Sequence, residues 1–378
     1  MDRPLIVNAT AIGHRIDGIA VYAVNLVKAI WRADAGRPIT VVLNEDARRF
    51  FLESEIPRGA TVRWITAGVS PSRGTRGNLL RWAFANRLAR EHRHAIVFGL
   101  SQLEAPILGC RGIVTVHDMI PWLFPKAHPR QYHFYRHCLG RAVHHALAVV
   151  TPSQATKDDV CRYYGVEKAR VHVIQHGSPV PLAAADRSIE RPGRYVLWIG
   201  RVDHTKNLGA VLEAFRTIAR QSDARLIVAG EGSRVDERSL GVAPGSLGRV
   251  TVLGPVTESE KIALLDGAAV LVCPSLYEGF GFAPLEAMAR GCPVVTAPTG
   301  ALPEVCGDAA IYVDPRHPQQ IAEAVLRVLT DADLARELTT RARARTRAFT
   351  WEASVRAHVA VIDRVARLNM NRRFHEAA

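Results

Sequence analysis

Residues 277–289 read YEGFGFAPLEAMA and come shortly after the apolar segment 268–273. The apolar segment predicts a buried strand, and Pro284 suits the first turn of a helix, where its missing N–H would lack an intrahelical partner anyway. The pattern therefore predicts a strand, a glycine-bearing loop and a helix, which is the repeating unit of a parallel α/β sheet. Glu278 lies in the loop at the carboxyl end of the strand, and Glu286 lies near the first turn of the helix.

The two glutamates indicate a ligand rich in hydroxyl groups. A carboxylate accepts two hydroxyl hydrogen bonds at once, and hydrogen bonds to a charged group are the stronger ones. Backbone N–H groups beside Gly279 and Gly281 would add donors to the same crevice. For either glutamate alone a structural role is the simpler interpretation, since Glu278 suits a turn and an acidic residue such as Glu286 is favoured near a helix N-terminus. The complete run is more specific and indicates a sugar-nucleotide site.

A second motif, GRVDHTKN, occupies residues 200–207 between a predicted strand at 195–199 and a predicted helix. A helix N-terminus presents N–H groups without intrahelical partners and a partial positive charge, so anions bind there. Arg201 and Lys206 add positive charge, and Asn207 is a candidate N-cap residue, so the segment suits a diphosphate. The alternative is an exposed basic loop, which is common between a strand and a helix.

Apolar segments recur along the chain in two series, with helical periodicity between them. Short strands alternating with helices predict parallel sheets with helices on both faces, so the predicted fold class is α/β. A stretch at 176–194 that is rich in Pro, Gly and charge predicts the linker. The predicted domains are 1–187 and 188–350, followed by a C-terminal helix at 351–378. The predicted strands are 5–9, 40–43, 62–65, 95–98, 112–116, 146–150 and 171–174, then 195–199, 224–229, 249–253, 268–273, 293–296 and 311–313.

Two segments of the first half also follow predicted strands. Residues 10–18 form a polar loop ending at Gly18, the usual place for a phosphate loop in such a sheet, although no complete Gly-x-Gly-x-x-Gly is present. The run HDMIP at 117–121 follows the strand at 112–116, so His117 would point into the crevice where ligands bind. The alternative is an ordinary core or surface histidine. Asp118 is expected either to orient the histidine or to cap the next turn.

Together these motifs resemble the retaining nucleotide-sugar glycosyltransferases of family 4 (glycosyl transferases group 1). The resemblance covers nearly the whole chain and rests on the first loop, the His117 segment and residues 151–153, 200–207 and 278–286. It implies the GT-B fold, in which two Rossmann-like domains face each other and the C-terminal helix crosses back to pack on the first domain. It also implies transfer of a sugar from a nucleotide donor with retention of anomeric configuration.

The resemblance assigns roles to the matching residues. Glu278 would bind donor-sugar hydroxyls, Glu286 the ribose diol, and the Gly-Arg-x-x-x-x-Lys-Asn motif the diphosphate. His117 would contact the donor sugar or the leaving phosphate, and backbone amides of the first loop would touch the diphosphate or the acceptor. The candidate catalytic residues are therefore His117, Arg201, Lys206 and Glu278. The candidate donor-binding residues are Gly18, Gly200, Arg201, Lys206, Glu278, Gly279, Phe280, Gly281, Phe282 and Glu286.

The expected mechanism uses no cofactor and no metal. Arg201, Lys206 and a helix N-terminus would stabilise the charge that develops on the leaving diphosphate, and preorganised electrostatics is usually the largest catalytic contribution. No carboxylate pair is evident in the first domain that could serve as nucleophile and acid. We therefore expect a same-face displacement assisted by the diphosphate. The Asp-x-Asp at 331–333 is interpreted as a helix cap rather than a metal site.

The His-Asp-x-Ile-Pro run resembles polysaccharide-building members and favours GDP-mannose as the donor, that is, a mannosyltransferase acting in surface polysaccharide assembly. UDP-glucose, UDP-N-acetylglucosamine and a deoxysugar donor stay open. The expected acceptor is a saccharide or a lipid-linked saccharide. The rival interpretations are a nucleotide-sugar epimerase of the same fold, a basic nucleic-acid-binding protein and a non-catalytic sugar-binding protein.

The net charge of +13 is concentrated in the first half, where residues 1–187 hold 25 basic and 14 acidic side chains. Such basicity suits nucleic acid, an anionic membrane surface or an anionic substrate. No nucleic-acid-reading module is recognisable, so no nucleic acid is expected as a partner. In the basic stretch 74–94, Arg87 interrupts an apolar stripe of Leu80, Phe84 and Leu88. That favours an ordinary solvated helix, while an anionic membrane face stays open.

No segment approaches the roughly 20 apolar residues that cross a bilayer, and no N-terminal pattern marks a signal peptide. The six cysteines are scattered without metal-ligand spacing and are interpreted as small buried hydrophobes. The expected location is the cytoplasm, with peripheral contact at the inner face of the cytoplasmic membrane.

Overall fold

The structure is a computed structural model that describes residues 4–14, 17–33, 38–57, 60–109, 111–181, 195–232 and 248–376. For residue 53 and residues 368–376 it describes the backbone alone. The chain divides into two compact units. Unit 1 contains Met1–Gly177 and Thr350–Ala378, and unit 2 contains Ser178–Phe349.

Unit 1 is built on a parallel sheet. Over the described residues its strands are β1 (Leu5–Asn8), β2 (Ile39–Asn44), β3 (Thr61–Ile65), β4 (Ile96–Gly99), β5 (Ile113–Thr115), β6 (Ala148–Thr151) and β7 (Val171–Val173). The strand order is β3-β2-β1-β4-β5-β6-β7, and β1 pairs with both β2 and β4. The chain winds in opposite directions from the β1/β4 pair, so the loops that follow these two strands border a crevice of the kind that binds ligands.

Unit 2 repeats this plan. Over the described residues its strands are β8 (Tyr195–Ile199), β9 (Arg225–Ala229), β10 (Val250–Gly254), β11 (Val270–Cys273), β12 (Val294–Thr296) and β13 (Ala310–Tyr312). The order is β10-β9-β8-β11-β12-β13, again parallel, so the corresponding crevice follows β8 and β11. These are the strands that precede the Lys206 and Glu278 motifs. The two doubly wound parallel sheets confirm the predicted fold class.

Helices connect the strands and cover the sheets. In unit 1 they are α1 (Gly18–Arg32), α2 (Gly74–Glu91), α3 (Ile120–Leu123), α4 (Pro129–Phe134), α5 (Gly140–His145), α6 (Gln154–Tyr164) and, last in the chain, α13 (Trp351–Glu376). In unit 2 they are α7 (Leu208–Gln221), α8 (Glu258–Gly267), α9 (Phe282–Ala289), α10 (Leu302–Cys306), α11 (Pro318–Thr330) and α12 (Ala332–Thr346). Within the described residues, no helix combines the length and the apolar character needed to cross a membrane.

The C-terminal helix belongs to the core of unit 1. Val355 and Ile362 of α13 are buried in the same apolar cluster as Val27 of α1, and the two helices pack together. Thr350 caps the helix, because its Oγ1 accepts a hydrogen bond from the Ala353 N–H at 3.1 Å. The predicted return of the C-terminal helix to the first domain is confirmed.

The compact units separate at residues 177/178 and 349/350, whereas the sequence placed the boundaries at 187/188 and 350/351. The first boundary comes earlier because Gly177 lies against α13, so close that an added Cβ would come within 2.5 Å of the Trp351 nitrogen. Beyond it the chain bonds to unit 2, where Ser178 N–H donates to the Phe349 carbonyl and Arg290 donates to the Pro181 carbonyl, both at 3.0 Å. Most of the predicted linker, residues 182–194, lies outside the described residues.

Candidate active site

An ion pair between Lys206 and Glu278 lies at the carboxyl edge of the unit 2 sheet. Lys206 closes a 3₁₀ turn after β8, and Glu278 lies in the loop after β11. The ammonium Nζ is 2.6 Å and 2.7 Å from the two carboxylate oxygens, and the Ser275 hydroxyl donates to Oε1 at 2.8 Å. Burial disfavours the charged ammonium, but Glu278 outweighs it and raises the pKa of Lys206. The sequence motifs therefore meet in one charged, hydrogen-bonded cluster.

The two loops that carry this pair are tied together through the backbone. The Asp203 carboxylate accepts hydrogen bonds from the N–H groups of Thr205 and Lys206, at 2.9 Å and 3.2 Å, which shapes the turn. The Leu276 N–H then donates to the Thr205 carbonyl at 2.7 Å. Because main-chain bonds join the loops, the distance between Lys206 and Glu278 does not depend on the two side chains alone.

Gly300 lets a third loop approach the Glu278 backbone. Its φ of +54° lies in the left-handed region, and an added Cβ would come within 2.3 Å of the Glu278 carbonyl oxygen. The next residue, Ala301, donates its N–H to that same carbonyl at 2.9 Å. The structure therefore demands glycine at this position, and the loop after β12 supports the Glu278 backbone directly.

Glu286 lies in α9 and has a lysine partner of its own. Its side chain is almost fully buried, and the Lys261 Nζ lies 2.7 Å from Oε1. Lys261 also contacts Glu258, one turn earlier on α8, at 2.9 Å. Burial raises the pKa of Glu286 to about 7, although Lys261 opposes the shift. Sequence reasoning identified Glu286 but left out the lysine that faces it.

The other residues of the GRVDHTKN motif have separate roles. The Arg201 side chain is 61% exposed and contacts Asp203 at 3.1 Å, so it is able to reorient towards a ligand. The Gly200 N–H donates to the Ala229 carbonyl at 3.0 Å, within the sheet edge. Asn207 precedes α7, as predicted, but in a left-handed conformation and without capping it. Its amide group donates instead to the carbonyls of Pro274 and Pro315, because the left-handed backbone turns the side chain away from the helix.

The aromatic residues of the Glu278 run belong to the core of unit 2. The Phe280 ring is buried, with its centroid 5.1 Å from that of Phe282 and 6.1 Å from that of Phe349. Gly281, with φ +108°, provides the turn from which α9 begins. Phe280 therefore offers a ligand its backbone rather than its ring, and the same glycine-rich loop includes Gly279.

His117 follows β5 in unit 1 and is a buried, neutral imidazole. Burial lowers its pKa to about 4, and Nε2 lies 2.8 Å from the Leu100 carbonyl oxygen. A carbonyl can only accept, so Nε2 carries the hydrogen and Nδ1 is left as an acceptor. Asp118 takes the second of its two expected roles, since its carboxylate accepts a hydrogen bond from the Ile120 N–H at 2.9 Å and so caps the next turn.

His117 belongs to a cluster of four rings, the Tyr22 cluster, which consists of Tyr22, His117, His176 and His358. The Tyr22 ring is 4.9 Å from His117 and 4.5 Å from His176. His358, from α13, directs Nδ1 at the Ser354 carbonyl, so its Nε2 accepts from the Tyr22 hydroxyl at 3.0 Å. Burial lowers the pKa of all three histidines. The cluster is thus uncharged at neutral pH, and the C-terminal helix contributes to it.

A buried carboxyl group lies on the neighbouring loop of unit 1. Glu104 follows β4 and is fully buried, and its Oε1 accepts a hydrogen bond from the Thr10 hydroxyl at 2.8 Å. Burial raises its pKa to about 7, against the effect of Arg81. Arg81 is itself buried on α2, which packs against the turn that carries Glu104. The loops after β1 and β4 are therefore joined by polar groups inside the unit.

Gly18 is the first residue of α1, after Asp17, whose carboxylate accepts from the Ala20 N–H at 2.8 Å. The preceding loop residues 15 and 16 lie outside the described residues.

Asp331 caps α12 through the Leu334 N–H at 2.9 Å, which confirms its interpretation as a helix cap. In the part of the chain that the structure describes, no group of three or more His, Cys, Asp or Glu side chains is arranged to hold a metal ion.

Comparison with protein-family models identifies the chain from both halves. Residues 16–179 match the model Glycosyltransferase Family 4, and residues 184–345 match the model Glycosyl transferases group 1. The chain belongs to the group 1, family 4 glycosyltransferases. Its two matches correspond to the two Rossmann-like units, so the protein is a glycosyltransferase of the GT-B type.

Curated relatives of this glycosyltransferase include mannosyltransferases of Escherichia coli. The O-antigen chain mannosyltransferase B is 28% identical over 257 residues, which cover 64% of this chain and 67% of the relative. The serotype-specific mannosyltransferase WbdA is 28% identical over 268 residues, which cover 66% of this chain but 32% of that longer protein. The crystal structure of Anabaena HepE with UDP and glucose has a TM-score of 0.71 at 17% identity, covers 96% of this chain and 99% of HepE, and so shows a shared fold.

Sequence reasoning missed three charged residues of this glycosyltransferase. Lys261 could have been noticed because it lies one turn after the N-terminus of a predicted helix, as Glu286 does. Glu104 comes shortly after a predicted buried strand, the same position that singled out Glu278. Arg81 gave no such signal, because the helix 74–91 carries several arginines and only packing shows which of them is buried.

Proposed function

We propose that this glycosyltransferase moves a hexose from a nucleotide-sugar donor to a saccharide acceptor, with retention of anomeric configuration. The observation that carries the proposal is the Lys206–Glu278 pair with its Ser275 support. An ammonium suits phosphate oxygens, and a carboxylate suits hydroxyl groups. In a nucleotide sugar these two kinds of group lie on either side of the bond that breaks, so a lysine and a glutamate less than 3 Å apart match the donor at its reacting centre.

Donor binding would exchange partners within the pair. Phosphate oxygens would take the ammonium of Lys206, while Glu278, still held by Ser275, would accept hydrogen bonds from sugar hydroxyls. Arg201 is exposed and would turn to the diphosphate as well. When the sugar–oxygen bond breaks, negative charge grows on the diphosphate, and these two cations stabilise it without a metal. The acceptor hydroxyl oxygen would form the new bond to the anomeric carbon on the same face, and its proton would pass to the leaving diphosphate oxygen.

His117 is proposed to contact the donor sugar rather than the leaving phosphate. Its Nε2 hydrogen is directed at the Leu100 carbonyl, and its low pKa keeps Nδ1 unprotonated at neutral pH. A phosphate oxygen needs a donor, which Nδ1 cannot supply, whereas a sugar hydroxyl can donate to it. The tautomer therefore supports one of the two roles that the resemblance implied.

GDP-mannose is the proposed donor, because the two Escherichia coli relatives described above are mannosyltransferases. UDP-glucose is the first competitor, since the HepE structure holds UDP and glucose. The proposed acceptor is a saccharide or lipid-linked saccharide in surface polysaccharide assembly. No cofactor and no metal are proposed.

We test the donor by following turnover and thermal stability of the full chain with GDP-mannose, UDP-glucose and their nucleoside diphosphates, with and without EDTA. A ligand that binds only the folded state raises the unfolding midpoint. We expect a rise with GDP and transfer from GDP-mannose, both unaffected by EDTA, and an α-linked product by NMR. A β-linked product would overturn retention, and transfer from UDP-glucose alone would overturn the donor.

An anionic membrane surface is proposed as a partner of unit 1. The outward face of α2 exposes Leu79 and Leu80, at 63% and 43%, between the exposed Arg76 and Arg87. The sequence grouped Leu80 with Phe84 and Leu88 in an interrupted apolar stripe. In the structure Leu80 is exposed and the neighbouring Arg81 is buried, because Arg81 packs towards Glu104. Apolar side chains flanked by arginines suit an interface with anionic lipids.

Sedimentation with vesicles tests this partner. We expect the protein to bind vesicles that contain phosphatidylglycerol and not those of phosphatidylcholine alone, and expect L79D/L80D to weaken the binding. Equal sedimentation of the variant and the natural protein would contradict a role for this face.

A further inference from the structure

Lys261 is held in a defined position beside Glu286 by the start of α8. Thr257 and Glu260 form a reciprocal capping box: the Thr257 hydroxyl accepts from the Glu260 N–H at 3.3 Å, and the Glu260 carboxylate accepts from the Thr257 N–H at 2.7 Å. The Lys261 N–H donates to the Thr257 carbonyl at 2.9 Å, so Lys261 lies in the first turn. Its side chain is only 13% exposed, and its Nζ reaches Glu286.

The surroundings of Glu286 leave it largely dependent on this lysine. On its other sides α9 packs into the apolar cluster that holds Leu271, Val294 and Val305. Arg290, directly after the end of α9, forms a two-pronged pair with Asp266 at 2.7 Å and 2.8 Å. Glu258, on the same helix as Lys261, acts on Glu286 with the opposite sign. Lys261 is the group whose charge favours the carboxylate form of Glu286.

We propose that Lys261 is the positioning residue of the ribose subsite, where its contact with Glu286 orients the carboxylate to accept hydrogen bonds from both hydroxyls of a ribose. The proposal rests on the donor-binding function proposed above and on the ribose role that the family resemblance implies for Glu286, and it extends them to a residue outside the recognised motifs.

The chemistry of the ribose diol explains why the ionised form matters. An ionised carboxylate accepts from two hydroxyls at once, whereas a protonated carboxyl group must use one oxygen as a donor. Since burial raises the pKa of Glu286 to about 7, the carboxylate would be only part of the population at neutral pH. Loss of Lys261 would raise this pKa further and move ribose binding to higher pH.

Calorimetric titration of the full chain tests the inference with GDP and UDP and with their 2′,3′-dideoxy counterparts, between pH 6 and pH 9. The variants are Lys261→Met, which removes the charge, and Lys261→Arg, which keeps it. Lys168→Met, on an exposed turn of unit 1, is the control for loss of a lysine charge. Glu258→Gln is the comparison of opposite sign, because it removes a negative charge that disfavours the Glu286 carboxylate and leaves the contact between Lys261 and Glu286 in place. Circular dichroism melts of each variant record whether the fold is intact.

We expect Lys261→Met to weaken binding of the ribonucleotide about tenfold at pH 7. The loss should shrink by pH 9 and be absent for the dideoxy nucleotide. Lys261→Arg and Lys168→Met should bind as the natural protein does, and Glu258→Gln should bind the ribonucleotide at least as tightly at pH 7. Equal weakening for both nucleotides, or a loss that does not change with pH, would overturn the inference and leave the donor proposal standing. If the natural protein bound none of the nucleotides, the donor proposal would fail first, and this inference with it.

Discussion

The carboxyl edges of the two parallel sheets carry different chemistry. In unit 2, Lys206 pairs with Glu278 and Lys261 pairs with Glu286, so opposite charges lie in direct contact at 2.6 Å to 2.7 Å. In unit 1 the corresponding edge carries the Tyr22 cluster, whose imidazoles are neutral, and Glu104, a carboxyl group whose pKa is about 7. The same strand order therefore supports one charged edge and one that is largely uncharged.

The difference teaches that the shared sheet topology fixes where a ligand site lies and not what it binds. Charged side chains that are already paired can exchange an ion-pair partner for a charged ligand. Neutral groups with lowered or raised pKa values offer hydrogen bonds without net charge, which suits hydroxyl groups. We therefore expect substitutions in unit 2 to act on the diphosphate and substitutions in unit 1 to act on folding and on sugar contacts.

The largest effect should come from removing a charge at the unit 2 edge. Lys206→Ala is expected to lower donor turnover by about 100- to 1,000-fold, because it deletes a preorganised cation that faces the developing charge. Lys168→Ala, on an exposed turn of unit 1, is the control and should leave turnover unchanged. Steady-state kinetics decides, and a variant with intact turnover would show that the diphosphate site is assigned wrongly.

The backbone beneath the charged edge gives the next largest effect. Gly300→Ala should cost about 1–3 kcal/mol of the free energy of unfolding and also lower turnover, because its methyl group would meet the Glu278 carbonyl and its φ is positive. Gly209→Ala is the matched control: it lies near the start of α7 with no atom within 4 Å of the added Cβ. That variant should gain up to about 1 kcal/mol. Denaturant unfolding measures both, and equal effects would contradict the close approach.

Acid should lower the free energy of unfolding of unit 1 by protonating the Tyr22 cluster. Burial holds the pKa of His117, His176 and His358 below the usual value, so between about pH 6.5 and pH 4 the unfolded chain binds protons that the folded unit does not. The contribution of each histidine is complete above pH 6.5 and is lost as the pH drops, by about 1.4 kcal/mol per pH unit. Glu104 and Glu286, whose pKa values burial raises to about 7, contribute with the opposite sign over the same range.

A variant isolates one of these histidines. His358→Gln should lower the slope of unfolding free energy against pH by about 1.4 kcal/mol per pH unit, measured by denaturant unfolding from pH 7 to pH 5. His133→Gln, at an exposed position, should leave the slope unchanged. If both variants kept the slope of the natural protein, the cluster would not be the source of acid sensitivity.

The smallest expected effect is that of chelation. The charged edge is proposed to stabilise the leaving diphosphate with Lys206 and Arg201, so EDTA should leave turnover with the donor unchanged. Activity that vanishes with EDTA and returns with a divalent cation would show that side-chain cations alone do not serve the diphosphate.

Much of the fold could be predicted because each strand is locally marked. All the predicted strands, such as 195–199 and 224–229, are present among the described residues within two residues of their predicted ends. The Glu278 and Lys206 motifs could be found for the same reason, since each follows a strand that is apolar on both faces. A strand and the loop motif that follows it can be predicted from the sequence when their residues lie next to each other along the chain and in the same environment.

The rest depended on contacts between distant segments. Lys261 and Glu286 are 25 residues apart, and their side chains meet only because the fold brings the first turn of α8 close to α9. Arg81 is buried and Leu80 exposed because the face of α2 that meets the Glu104 turn is chosen by tertiary packing. Asn207 was expected to cap a helix, but it bridges two loops through Pro274 and Pro315, which no short-range pattern reveals.

Unit 1 is assembled from two stretches of chain that synthesis on the ribosome separates by the whole of unit 2. Domains at the start of a chain generally fold first as they emerge. Here α13 supplies Val355 and Ile362 to the unit 1 core and His358 to the Tyr22 hydroxyl. The unit that is synthesised first is therefore completed last. A premature stop just before Trp351 would leave the apolar core of unit 2 whole and would damage the opposite half of the protein.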